Sequence, residues 1–361
     1  AAAQDTNRHD IRSGLWLGEL IADLLSAKRE SPGGVEQGAS VLRLAHLYIQ
    51  LGQVENVKPV PRVLVVGGGV AGLELATTLG RTAQRRRNFS VTLVESESPH
   101  IWKPMLHTIA AGTRDVYQQQ VAYAAQAQRA GFDYQPGAMC ALDALAREIE
   151  IAPLVTPDGR LVLKRRRIGY EALVIAVGSE ANDFHTPGVR ELCYRIDSRR
   201  EAERFNLEVR IRLLQCLAES TELPIAIVGG GATGVELAAE LIQMAEEAGN
   251  YGARGLTSRL RITLVESGVR LLAAFPEAVA EGARVRLESL GVRVRIGERV
   301  TSVTEEGLVL ASGEIVPGAI RVWAGGVKAP DFLATLADLD KNLNHQLTVR
   351  PTLQTVTDPA V

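Results

Sequence analysis

The stretch VLVVGGGVAGLELA, Val63 to Ala76, runs from four apolar residues through three glycines into a helix-forming segment. A short apolar run of this kind predicts a strand buried on both faces. Gly67, Gly69 and Gly72 then stand in the spacing GxGxxG, at the mouth of the expected helix. Each meets a separate demand: a tight turn at Gly67, room for a pyrophosphate at Gly69, close helix–strand packing at Gly72. Gly68 and Ala71 lie on the same turn and count with them as candidate phosphate-binding residues. A helix starting there presents free N–H groups and the positive end of its dipole to a phosphate. Downstream, SVTLVES (Ser90–Ser96) reads as a second strand ending in Glu95, 23 residues past Gly72. A carboxylate at that place accepts hydrogen bonds from the ribose hydroxyls of an adenosine.

The same device recurs 162 residues later in IAIVGGGATGVELAAEL, Ile225 to Leu241. Here Gly229, Gly231 and Gly234 carry the spacing, and RITLVES (Arg261–Ser267) ends in Glu266. The gap from Gly234 to Glu266 is 32 residues, lengthened by GNYGARGLTS. One GxGxxG is weak evidence, since a structural turn explains it equally well. Two copies, each in strand–turn–helix–strand–acid context, point to two bound dinucleotides. Two dinucleotides in one chain suggest a redox donor and a redox acceptor.

Composition narrows the remainder. With 361 residues, 46% hydrophobic and 23% charged, the chain is long enough for two globular domains. A net charge of −2 gives no electrostatic reason to expect a nucleic-acid partner. Cys140, Cys193 and Cys216 are scattered, with neither disulfide-scaffold nor metal-ligand spacing, and no metal is expected. No apolar run reaches the roughly 18 residues of a membrane-spanning helix. GLWLGELIADLLSA, Gly14 to Ala27, has apolar residues at helical spacing and reads as an amphipathic helix. Packing on its own protein is the plain reading, and a membrane-surface or partner helix the alternative.

A second helix is expected around Ser40–Leu51, and VKPVPR (Val57–Arg62) reads as a linker into the first strand. From there strands and helices alternate, predicting an α/β fold with two Rossmann-like, doubly wound dinucleotide-binding domains. A meander of short strands is expected between Arg293 and Val316. PEAVAEGARVRLESLG before it reads as a helix, with Pro276 at its start and Gly291 past its end. The arginine runs at Arg85–Arg87 and Lys164–Arg167 read as solvated helix and hairpin ends.

Several longer segments carry a resemblance. HIWKPMLHTIAAGT (His100–Thr113), YEALVIAVGS (Tyr170–Ser179), ANDFHTPGV (Ala181–Val189), WAGGVKAPDFL (Trp323–Leu333) and NHQLTVRPTLQTVTDP (Asn344–Pro359) follow in order with the second glycine motif. Together they resemble the bacterial type II NADH dehydrogenases, single-subunit NADH:quinone oxidoreductases of the two-dinucleotide-binding-domain flavoproteins. The similarity runs from Arg62 to the end of the chain. It departs from the family at Thr108, where Glu is usual, and at Gly325, where Ala is usual.

The resemblance implies an NADH domain inserted into an FAD domain. Residues 1–58 would form an N-terminal extension, 59–179 the first part of the FAD domain, 180–327 the NADH domain, and 328–361 the second, truncated part. FAD would take the first glycine turn, with Ala176 and Gly178 letting the chain pass close to it. NADH would take the second, with Gly326 on the return crossing. Lys103 would lie by the isoalloxazine edge and Glu236 near the nicotinamide, as the catalytic pair. For Lys103 the plain alternative is a surface lysine before a proline turn, and for Glu236 it is complementation of the helix dipole. His107 reads more readily as a packed histidine than as a proton donor.

Hydride would pass from NADH to FAD and electrons on to a membrane quinone, without proton pumping. The expected place is the cytoplasmic face of the inner membrane, peripherally bound, with a homodimer allowed. In the family, further segments follow TLQTVTDPAV, including membrane helices, so the chain reads as a fragment that should hold FAD weakly. Disulfide reductases share both fingerprints but need a cysteine pair after the first, and no cysteine occurs between Gly72 and Met139. Sulfide:quinone reductases need cysteines near the flavin, which the scattered set argues against. The alternatives left open are a redox-inactive nucleotide-binding protein and a reductase with another acceptor.

Overall fold

The computed structural model describes residues 60–361, apart from 98, 99, 116, 118, 119 and 157. The helices expected at Gly14–Ala27 and Ser40–Leu51, and residues 57–59 of the linker, lie outside the described residues. The described residues belong to one compact unit.

The apolar run after the linker forms the strand Arg62–Val66, with Leu64 and Val65 fully buried. It is central in a four-stranded sheet ordered Ala172–Ile175, Arg62–Val66, Ser90–Glu95, Asp133–Pro136. All three pairings are parallel, as expected of strands that bury both faces. The helix Val70–Arg86 leaves the glycine turn and buries Gly72, Ala76, Thr77, Gly80 and Ala83. A small antiparallel sheet follows, from Met139–Asp143, Glu148–Ile151 and Arg166–Gly169.

The second half repeats this plan. Strand Leu223–Val228 is central in a parallel sheet ordered Arg293–Ile296, Leu260–Glu266, Leu223–Val228, Ile320–Trp323. Its glycine turn feeds the helix Ala232–Asn250. The long gap before Glu266 holds a short helix, Leu256–Arg259, whose Leu256 is buried. A three-stranded antiparallel meander, Val300–Val303, Gly307–Leu310 and Ile315–Pro317, completes the repeat. The meander is therefore shorter than its sequence suggests. Arg293–Ile296 belongs instead to the parallel sheet, because the helix Glu277–Ser289 returns it beside Leu260–Glu266. Fully buried Ile225, Ile227 and Leu264 anchor this half, each contributing about 1.5–3 kcal/mol.

Two short strands join the halves. Glu180–Ala181, on the way out, pairs antiparallel with Val327–Lys328, on the way back. The helix Leu106–Ala111 crosses the same junction by packing. Its Leu106, Ile109, Ala110 and Ala111 share one buried cluster with Phe205, Leu237 and Leu241. At the far edge, Leu173 N donates to Ala360 O at 2.8 Å, so the last residues run beside strand Ala172–Ile175.

Of the arginine runs, Arg85–Arg87, Lys164, Arg165 and Arg167 are exposed as expected. Arg166 is the exception. Its guanidinium turns inward to the Pro136 carbonyl, and burial lowers its pKa. Alternation along an antiparallel strand puts every second residue on the inner face, whatever its charge.

Candidate active site: two glycine cradles and the junction between them

The first cradle is built by close backbone approach. Gly67 has φ +102, and a Cβ there would collide with the Ala176 carbonyl. A Cβ on Gly72 would strike the Gly67 carbonyl oxygen. Gly69 is different. Its φ is −65, an ordinary value, and nothing lies within 4 Å of its would-be Cβ. That open space lies at the start of helix Val70–Arg86, which has no side-chain cap, leaving its first N–H groups for a ligand. Ala71 is exposed on the first turn of this helix.

Gly68 is constrained by a contact that the motif does not encode. A Cβ there would come within 2.6 Å of the Tyr123 ring. The Tyr123 hydroxyl donates to Gly68 O at 2.8 Å, and His100 Nδ1 lies 2.9 Å from the same oxygen. Gly68 N in turn donates to Glu95 Oε2 at 2.5 Å. Glu95 Oε1 accepts from Glu97 N at 2.8 Å, so both carboxylate oxygens are oriented by backbone. A cavity of about 320 Å³ opens beside Gly67 and Glu95, walled also by Ser96, Met139 and Phe332.

Burial holds His100 below the usual histidine value, partly offset by the Gly68 carbonyl and by Glu95. The unfolded chain therefore takes up this proton more readily than the folded one. The stabilisation is full above the ordinary value of about 6.5 and is lost as pH falls through the lowered one. Lowering the pH from about 7.5 to about 5.5 should accordingly reduce the urea midpoint, and less so in His100→Asn. Equal losses in the two proteins would show that His100 does not contribute.

The second cradle matches the first. Gly229 has φ +107 and abuts the Ala324 carbonyl as Gly67 abuts that of Ala176. Ala176 N donates to Val66 O and Ala324 N to Val228 O, both at 2.7 Å. A Cβ on Gly234 would strike the Gly229 carbonyl, while Gly231, at φ −75, faces open space before an uncapped helix. Gly230 N donates to Glu266 Oε2 and Gly268 N to Glu266 Oε1, both at 2.6 Å. The adjoining cavity, about 270 Å³, is lined by Gly229, Glu266, Arg299, Trp323, Gly325 and Phe184 among others. Sequence reasoning misses Ala324, although both strands are followed by the same Ala-x-Gly pattern, Ala176–Gly178 and Ala324–Gly326. Gly178 and Gly326 both have positive φ, +70 and +139.

Between the cradles lie the remaining candidates. Lys103 Nζ donates to Ser179 O at 2.8 Å, one residue past Gly178, and lies 3.8 Å from Asp197. Glu236 is the fifth residue of helix Ala232–Asn250, beyond its first turn, which weakens a helix-dipole role. It reaches across the junction instead, with Oε2 3.2 Å from His107 Nδ1. One turn further on, Glu240 accepts from the Thr113 hydroxyl. Thr108 is buried and satisfied, its hydroxyl donating to Met105 O at 2.7 Å. A Cβ at Gly325 would sit 3.2 Å from the Trp323 indole.

Paired glycine cradles, each with an oriented carboxylate and an uncapped helix, define an oxidoreductase fold for two dinucleotides. The model for pyridine nucleotide-disulphide oxidoreductases matches residues 61–361. A type II NADH:quinone oxidoreductase of Haemophilus influenzae is 37% identical over 317 residues, covering 83% of this chain and 71% of that protein. The chain therefore belongs to the pyridine nucleotide-disulphide oxidoreductase family and, within it, to the type II NADH:quinone oxidoreductases. An Arabidopsis thaliana protein, the mitochondrial external alternative NAD(P)H-ubiquinone oxidoreductase B1, is 27% identical over 73% of this chain and 48% of its own length. The fold also matches NDH2 from Plasmodium falciparum solved in complex with NADH, with TM-score 0.71 and 19% identity over 83% of this chain and 62% of that one. The chain thus spans under two thirds of these last two.

Among the described residues, no helix is long and apolar enough to cross a membrane. None of their His, Cys, Asp and Glu side chains form a cluster of three or more that could hold a metal ion.

Proposed function

We propose that this chain carries the NADH- and FAD-binding core of a quinone-reducing dehydrogenase, seated peripherally on the cytoplasmic face of the membrane. The observation that carries the reading is the duplication. Two cradles leave open space at Gly69 and Gly231, where a pyrophosphate would lie, and each has an oriented carboxylate at the ribose position. The first fits FAD and the second NADH, in the order of the family. Residues 180–327 would form the inserted NADH domain, a boundary supported by the pairing of Glu180–Ala181 with Val327–Lys328.

Bound FAD would supply hydride acceptance from NADH and electron delivery to the quinone. The protein's part is orientation and charge. Gly67 and Gly229 let the backbone turn against Ala176 and Ala324, which aims each helix N-terminus at a phosphate. Lys103, held at Ser179 beside the Gly178 exit, would place a cation where the reduced ring gains negative charge. Glu236, reaching from the NADH-side helix toward the FAD half, would meet the nicotinamide.

The test is NADH oxidation by the FAD-supplemented protein, measured with and without a soluble ubiquinone analogue. Oxidation that depends on both FAD and quinone is expected. Oxidation that proceeds with dyes but never with quinones would instead favour a reductase with another acceptor.

A further inference from the structure

We propose that His107 is the positioning residue for Glu236: it fixes one carboxylate oxygen across the junction and leaves the other to accept the carboxamide N–H of the nicotinamide. This rests on the reading above that Glu236 meets the nicotinamide. His107 Nδ1 lies 3.2 Å from Glu236 Oε2 as an ion-pair contact, and the Glu236 carboxylate makes no other ion pair among the described residues. The two side chains differ in setting, His107 being 11% exposed and Glu236 49%. A half-exposed glutamate retains most of its rotamer freedom, and ordering such a side chain costs up to about 2 kcal/mol. A partner that orders it before the ligand arrives removes part of that cost from binding.

The mount for His107 is rigid. Its neighbours Leu106 and Thr108 are buried, and Ala110 O accepts from Asn206 Nδ2 at 3.1 Å. Helix Leu106–Ala111 belongs to the FAD half in sequence, yet it packs in the core of the NADH half. The pair therefore spans both halves and ties the glutamate of one to the frame of the other. Nδ1, the nitrogen that faces the carboxylate, can donate an N–H to it from the charged ring and from the Nδ1-protonated neutral ring.

The test compares equilibrium binding of NAD⁺ and of 3-acetylpyridine adenine dinucleotide, which has a methyl ketone in place of the carboxamide and so lacks its N–H. Titration calorimetry on the FAD-loaded protein gives both affinities without turnover. Losing one hydrogen bond of this kind changes affinity about three- to tenfold. His107→Ala should weaken NAD⁺ by that factor and leave the acetyl analogue within about twofold. His107→Asn, whose amide nitrogen occupies the Nδ1 position, should restore NAD⁺ binding, whereas His107→Gln should not. His107→Ala/Glu236→Ala should bind NAD⁺ no more weakly than Glu236→Ala alone.

Equal weakening of both dinucleotides, or additive losses in the double variant, would show that His107 acts through packing and overturn the proposal. Should His107→Ala fail to fold, the Asn and Gln variants decide, and equal NAD⁺ affinities in those two would overturn it. If Glu236→Ala itself left NAD⁺ binding unchanged, the placement of Glu236 would fail first, and the role of His107 with it.

Discussion

Gly69→Val is expected to lower FAD affinity by at least about a hundredfold, and Gly231→Val to do the same for NADH while sparing FAD. Both proteins should remain folded. Fingerprint glycines are commonly treated as conformational necessities, but the structure separates them by role. Gly67 and Gly229 sit at φ +102 and +107 against backbone carbonyls, so any side chain there disrupts the turn itself. Gly69 and Gly231 sit at φ −65 and −75 with nothing within 4 Å of a Cβ. A Cβ there meets nothing in the free protein, and a valine side chain extends into the space a pyrophosphate needs. A hundredfold corresponds to about 2.7 kcal/mol, within the range that overpacking costs. Flavin content after gel filtration and NADH binding by fluorescence would check both substitutions. If Gly231→Val lost flavin and kept NADH, the two sites would be assigned in reverse.

Glu266 should make NADH preferred over NADPH by about tenfold to a thousandfold in kcat/KM, or about 1.4–4 kcal/mol. Gly230 N and Gly268 N donate to its two oxygens at 2.6 Å each, so the carboxylate is held beside the glycine turn, where the expected ribose would lie. A 2′-phosphate placed there would meet a fixed like charge. Arg270 offers no relief in this conformation, because its guanidinium donates to Ala273 O at 2.8 Å. Arg299, exposed, lines the same cavity as Glu266 and would soften the discrimination without reversing it. Glu266→Gln should reduce the preference, and Glu266→Arg should shift it toward NADPH. Equal kcat/KM for NADH and NADPH in the unmodified protein would show that Glu266 does not face the ribose.

What was legible in the sequence was local. Gly67, Gly69 and Gly72 declared a turn because strand, turn and helix are adjacent in the chain, and the second set did so for the same reason. The doubly wound sheets followed from alternating apolar runs and helices. The need for glycine at Gly68 was not legible, since it comes from the Tyr123 ring, 55 residues away. Nor was the meeting of His107 with Glu236, residues 129 apart that are joined only once helix Leu106–Ala111 docks in the other half. Ala324 is legible, for the Ala-x-Gly after its strand repeats the one at Ala176. Strand Arg293–Ile296 reads as part of the meander because a short apolar–polar alternation does not say which sheet it joins.

The most direct test of the two-dinucleotide assignment is an anaerobic titration of the FAD-loaded protein with NADH, followed through the flavin absorbance. The visible flavin band should bleach with about one NADH per flavin, and a soluble quinone analogue should then restore it. A flavin that stays oxidised under excess NADH would contradict the central claim that the two cradles serve one redox reaction.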